Sequence, residues 1–130
     1  MTVEPLWLAK ADILELHDYV LARTGGAAGL RDEGLLESAL ARAPNRFGYE
    51  NVDGLPELAA AYAFGIAKNH PFVDGNKRAA FLALGLFLDL NGLDLKATDG
   101  NATEVMLAVA SSGMDERALA AWIRDNSAPR

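Results

Sequence analysis

Nine consecutive residues, His70 to Arg78 (HPFVDGNKR), combine an imidazole, a carboxylate, a Gly-Asn pair and two adjacent cations. Each type has a part in moving a phosphoryl or nucleotidyl group to a hydroxyl. An imidazole such as that of His70 can take a proton from a hydroxyl near neutral pH. A lone carboxylate among cations, here Asp74, suits Mg²⁺, which binds one or two carboxylates, waters and phosphate oxygens. Gly75 lets backbone approach a ligand closely, and Asn76 can cap a helix with its side chain. Lys77 and Arg78 then fall in the first helical turn, where cations oppose the helix dipole by about 0.3–1 kcal/mol each. A local rule broken twice in succession suggests function. A phosphate would resolve the conflict, since it satisfies both the cations and the unpaired N–H groups of a helix start. Each residue taken alone also has a plainer reading: HPF as a helix stop, DGN as a turn, Lys77 and Arg78 as a solvated face.

The segment after the nine residues, AAFLALGLFLDL, is apolar on nearly every side, the pattern of a buried helix. Extending from about Asn76 to Leu90, at about 1.5 Å per residue, such a helix spans roughly 22 Å and fixes its own N-terminus in space. Helical spacing predicts five more helices. The first covers Lys10–Arg23 and stops at Gly25 or Gly26. The second begins at an Asp32 cap and runs to about Arg42, ended by Pro44. NRFGYENVDG reads as a loop. The third helix has Pro56 in its first turn and runs to about Asn69. The last two cover about Ala102–Ser112 and, from an Asp115 cap, about Asp125. LDLKAT (Leu93–Thr98) is the one weak strand candidate, and the tail NSAPR is expected to fray. Lys68 suits the C-terminal end of its helix and can also reach phosphates, the capping role being the stronger of the two. His17, in a helix beside Asp18, reads as structural.

The 130 residues are expected to form one all-α domain, a compact bundle of about six helices around a buried central helix. Apolar residues make up 51% and charged residues 23%, the balance of a soluble globular chain. No cysteine is present, which excludes disulfides and thiolate zinc sites, and two histidines are too few for a multi-histidine metal centre. A net charge of −6 argues against nucleic acid as the main partner. No apolar run approaches the roughly 18 residues of a membrane span, and MTVEPLWLAKAD does not read as a signal peptide, so a cytoplasmic location is expected.

HPFVDGNKR resembles the signature of the Fic/Doc superfamily, and its NKR ending resembles that of the Doc (death-on-curing) branch. ADILELHDYVLARTGGAAGLRDEGLLESALARAPNRF is similar to the N-terminal half usual in Doc proteins, and FLDLNG to the end of their central helix. The resemblance implies a six-helix fold and a set of roles. His70 would activate the acceptor hydroxyl, and Asp74 would hold Mg²⁺. Gly75, Asn76, Lys77 and Arg78 would form the phosphate-binding loop, and Phe72 would anchor it. Fic enzymes that transfer AMP usually have glycine where this chain has Lys77 and a second arginine where it has Phe81. In Doc-like proteins the lysine goes with an inverted nucleotide and transfer of the terminal phosphate of ATP.

The resemblance therefore implies a toxin of a toxin–antitoxin module that phosphorylates a protein hydroxyl, by analogy a threonine of elongation factor Tu, and so inhibits translation. Transfer of AMP is the alternative chemistry, and a catalytically inactive antitoxin-binding partner is the alternative class. The signatures of ordinary protein kinases are absent. So is the self-inhibitory pattern of many Fic proteins, Ser/Thr four residues before Glu-Gly or Glu-Asn: Gly29 precedes Glu33–Gly34 and Arg46 precedes Glu50–Asn51. Control is then expected from an antitoxin whose disordered tail folds on the toxin.

Overall fold

A computed structural model of the chain describes residues 3–130, so the first two residues of the expected 1–130 domain lie outside it. The described residues form six helices and two three-residue strands. The helices are α1 (Lys10–Thr24), α2 (Glu33–Glu50), α3 (Leu55–Asn69), α4 (Asn76–Leu90), α5 (Asp99–Ala110) and α6 (Glu116–Asp125). Strand β1 (Leu93–Leu95) pairs antiparallel with β2 (Ser127–Pro129). Among the described residues no helix is long and apolar enough to cross a membrane.

The centre of this all-α bundle is shared by α3 and α4, which pack along each other. Helix α3 also meets α2, α5 and α6, while α4 meets α1, α5 and β1. Alanine supplies much of the core: Ala59, Ala60, Ala61, Ala63 and Ala67 of α3 and Ala79, Ala80 and Ala83 of α4 are all buried in it, and such small side chains let packed helices approach closely. Tyr62 and Phe87 fill the space beside them, their ring centroids 5.2 Å apart. Burial raises the pKa of the Tyr62 phenol, and its oxygen accepts the Leu8 N–H at 3.1 Å. Helix α4 is not sealed all round. Phe81 and Leu82 are only half-buried and form the wall of a cavity, Phe81 packing against the core as well.

Two local expectations give way to tertiary partners. Helix α2 continues through Pro44 to Glu50, so most of NRFGYENVDG is helical. A proline inside a helix removes one N–H bond, but the turn after it is held from outside. Phe47 packs edge-on against Trp7, with ring centroids 5.6 Å apart. Arg46, together with Arg42, grips Glu116 of α6. Asn51 in the left-handed conformation then closes the helix. The C-terminal tail does not fray either. It forms β2, and the N–H of Arg130 donates to Gly92 O at 3.0 Å. The same Asn91–Gly92 turn fastens the other end of the chain: Leu6 N–H donates to Asn91 Oδ1 and Asn91 Nδ2 donates to Leu6 O, at 2.8 and 3.0 Å. Helix α5 begins three residues earlier than expected because Thr98 caps it, accepting the Asn101 N–H.

Candidate active site

The segment His70–Gly75 joins the C-terminus of α3 to the N-terminus of α4, and its conformation follows from a few residues. His70 closes α3 in the left-handed region, φ 55° and ψ 54°, with its N–H on Ile66 O. Pro71 cannot prolong the helix, and Phe72 turns its ring into the core. Gly75 is left-handed too, at φ 77°, and it is the N-cap of α4. Asn76 is therefore not the cap that the sequence suggested. It is the first helical residue, and its side chain is buried. Its Oδ1 accepts the Phe72 N–H and its Nδ2 donates to the Phe72 carbonyl, both at 2.9 Å. One amide thus satisfies both backbone groups of the loop's buried residue. Nδ2 also lies 3.1 Å from His70 Nδ1. Since an amide nitrogen only donates, Nδ1 is the acceptor and the neutral ring carries its proton on Nε2.

Among the described residues no side chain caps α4, so its first-turn N–H groups are left to meet a ligand. Asp74 turns its own Oδ1 to the Gly75 N–H at 2.8 Å. The carboxylate lies against Gly26, where an added Cβ would stand only 2.6 Å from Asp74 Oδ2. Lys77 and Arg78 are exposed in the first turn.

These residues line one cavity of about 670 Å³. His70, Asp74, Gly75, Asn76, Lys77 and Arg78 stand along one side. Phe81 and Leu82 of α4, with Met106 and Leu107 of α5, give it an apolar wall. Such a space has room for a nucleotide, and its lining offers both charged and apolar groups. Asp74 is the loop's carboxylate, Asp99 of α5 also lines the cavity, and no group of three metal-ligating side chains occurs among the described residues. That donor set fits a largely hydrated Mg²⁺ shared with phosphate oxygens, not a protein cage.

Lys68 is the candidate that the fold sets apart. It does not line the cavity; its ammonium donates to Ser112 Oγ at 2.5 Å and lies 5.7 Å from the centre of the Phe64 ring. Conversely, His17 belongs to the site's framework. It is buried, its ring stacks on Phe72 with centroids 3.8 Å apart, and Nε2 lies 2.7 Å from the Asp74 carbonyl. With that carbonyl as acceptor, Nε2 is the donor. Fifty-seven positions separate the two residues, so no local pattern announces the contact. Gly26 is similar: its neighbour Asp74 is distant in sequence.

A model of the Fic/DOC family matches residues 7–88, which include α1 to α4 up to Leu88 and the whole loop. The chain is 42% identical over 120 residues to Toxin Doc of Mycolicibacterium smegmatis, covering 88% of each protein. It is also 35% identical over 88 residues to Protein kinase doc of Escherichia phage P1, covering 68% of this chain and 70% of that protein. By the family match, by these two relatives and by its six-helix architecture, this chain belongs to the Fic/DOC family.

Proposed function

We propose that this protein is the toxin of a toxin–antitoxin module and a protein-hydroxyl kinase, transferring the γ-phosphoryl group of ATP with Mg²⁺. The observation that carries the reading is the first turn of α4, where Lys77 and Arg78 stand exposed at an uncapped helix start beside His70 and Asp74 in one cavity. A phosphate chain laid there meets free N–H groups and two cations together. A lysine at position 77 gives the site a side-chain cation for the transferred group, where a glycine would offer only bare backbone. The name of the phage relative, Protein kinase doc, points the same way.

In the reaction, the acceptor hydroxyl displaces the Asn76 amide from His70 Nδ1 and gives that nitrogen its proton. The oxygen attacks the γ-phosphorus, the bond from that phosphorus to the β–γ bridging oxygen breaks, and ADP leaves. Lys77, Arg78 and the first N–H groups of α4 hold the charge that spreads over the phosphoryl oxygens. Asp74 is the residue that would hold Mg²⁺, which when bound neutralises charge on the phosphates. Elongation factor Tu is the proposed acceptor, and an antitoxin is the proposed regulator.

The test uses purified protein, Mg²⁺ and elongation factor, with ATP labelled separately at the γ and α positions. Label transferred from the γ position supports the kinase; label from α alone replaces it with AMP transfer. Growth arrest that survives His70→Ala would make the protein a binding partner and not an enzyme.

A further inference from the structure

Arg31 lies outside the cavity, yet its guanidinium reaches the residue proposed as the base. Its Nε donates to the carbonyl of His70 at 2.7 Å and one terminal nitrogen donates to the carbonyl of Asn69 at 2.8 Å. These are the last carbonyls of α3, at the negative end of its dipole, where unpaired C=O groups and a cation suit each other. The flanking backbone closes the same junction. The N–H groups of Arg31 and Asp32 both donate to Pro71 O, at 2.7 and 3.0 Å, Val73 N–H donates to Gly29 O, and Leu30 bridges to Phe72. Residues 29–32 thus clasp residues 69–73 across the fold. No ion pair occupies the Arg31 guanidinium among the described residues; two carbonyls hold it.

The object being clasped is conformationally costly. His70 carries a side chain at φ 55°, a region that residues with a Cβ seldom occupy and that persists only where the surroundings over-determine it. Pro71 disfavours the right-handed alternative at His70, but it leaves the extended region open. Arg31 closes that route, because swinging the His70 backbone away would strip its carbonyl of a charged donor. The phosphate loop, by contrast, has anchors of its own: Asn76 on Phe72, and His17 on the Asp74 carbonyl.

We infer that Arg31 is a positioning residue for His70: a two-carbonyl clamp that sets where the base stands, without touching the nucleotide. The inference rests on the reading of His70 as base. Arg31→Ala is expected to lower kcat at least about tenfold, since small misplacements of a reacting group are costly. KM for ATP should stay within about threefold, because the interactions lost are not nucleotide contacts. Arg31→Lys keeps the charge but reaches only one carbonyl at a time, and should restore part of the loss.

A readout independent of activity is ¹H–¹⁵N NMR of the full chain. In Arg31→Ala the imidazole and amide signals of His70 should move or broaden, while the amide signals of Gly75 and Asn76 stay. Unmoved His70 signals overturn the inference, as does a loss of kcat matched by an equal rise in KM. If the Ala variant fails to fold, the Lys variant carries the same comparison. If the wild-type protein transfers no phosphate at all, the functional reading fails, while the NMR comparison still decides whether Arg31 positions His70.

Discussion

At the start of α6 the carboxylate of Asp115 accepts the Ala118 N–H at 2.8 Å, and Glu116 follows in the first turn. At the start of α4 stands a left-handed glycine with no side-chain cap, followed by Asn76, Lys77 and Arg78. Both termini have the same backbone groups to satisfy, and both helices pack into the same core. One arrangement satisfies those groups internally and complements the dipole. The other withholds the cap and adds cations, so its N–H groups and its charge point outward into the cavity. Helices α2 and α5 follow the α6 rule, with Asp32 and Thr98 as caps and Glu33 and Asp99 in their first turns. Among the described helices α1 and α3 also lack a side-chain cap, but each carries an acidic residue in its first turn, Asp12 and Glu57; α4 carries none, and its start lines a cavity of nucleotide size.

The sharpest way to break the comparison lies just outside the α4 turn. His70→Ala should lower phosphoryl transfer by about 10²–10⁴-fold, the range for loss of a general base, with the thermal midpoint lowered only as far as the lost Asn76 contact requires. Turnover measured beside a melting curve checks this, and activity retained in the variant would remove His70 from the chemistry. Lys77→Glu separates the two rules within one residue. An acidic first turn suits the dipole, so denaturant titration should show a gain of about 0.3–1 kcal/mol. Binding of ATP should nevertheless weaken at least about tenfold, the equivalent of one lost charge-assisted contact. A variant that became both more stable and a better binder would show that the cations are only a solvated face. Asp115→Ala is the smallest change and the mirror image. Stability should fall by about 0.5–2 kcal/mol while kcat and KM hold, since this cap supports packing and not the site.

Much of this was legible in the sequence because it is local. The bounds of α3, α4 and α6, the Asp32 and Asp115 caps and the contiguous loop all follow from spacing and from residues within a turn of each other. What escaped depends on distant partners. Pro44 obeys a steric rule as a sequence, yet Phe47 on Trp7 and Arg46 on Glu116 carry α2 past it. The tail becomes β2 because Leu93–Leu95 offers it an edge. His17 looked structural, and it is buried; what its surroundings in the chain did not show is that it grips the carbonyl of Asp74. Asn76 was expected as the cap, but that position went to Gly75, which tolerates positive φ. Lys68 had the right charge and the right neighbours in sequence, and α3 simply turns it toward Ser112.

The Asn91–Gly92 turn, which binds both Leu6 and Arg130, also matters for handling the molecule. It brings residues from the two ends of the chain together at the far tip of α4, a helix length of about 22 Å from the reactive loop. A short glycine-rich linker could therefore join Leu6 to Arg130 and the chain be reopened elsewhere, for instance at the loop of residues 51–54 after α2. Such a circular permutant should keep the contacts of the Asn91–Gly92 turn while its new ends lie after α2.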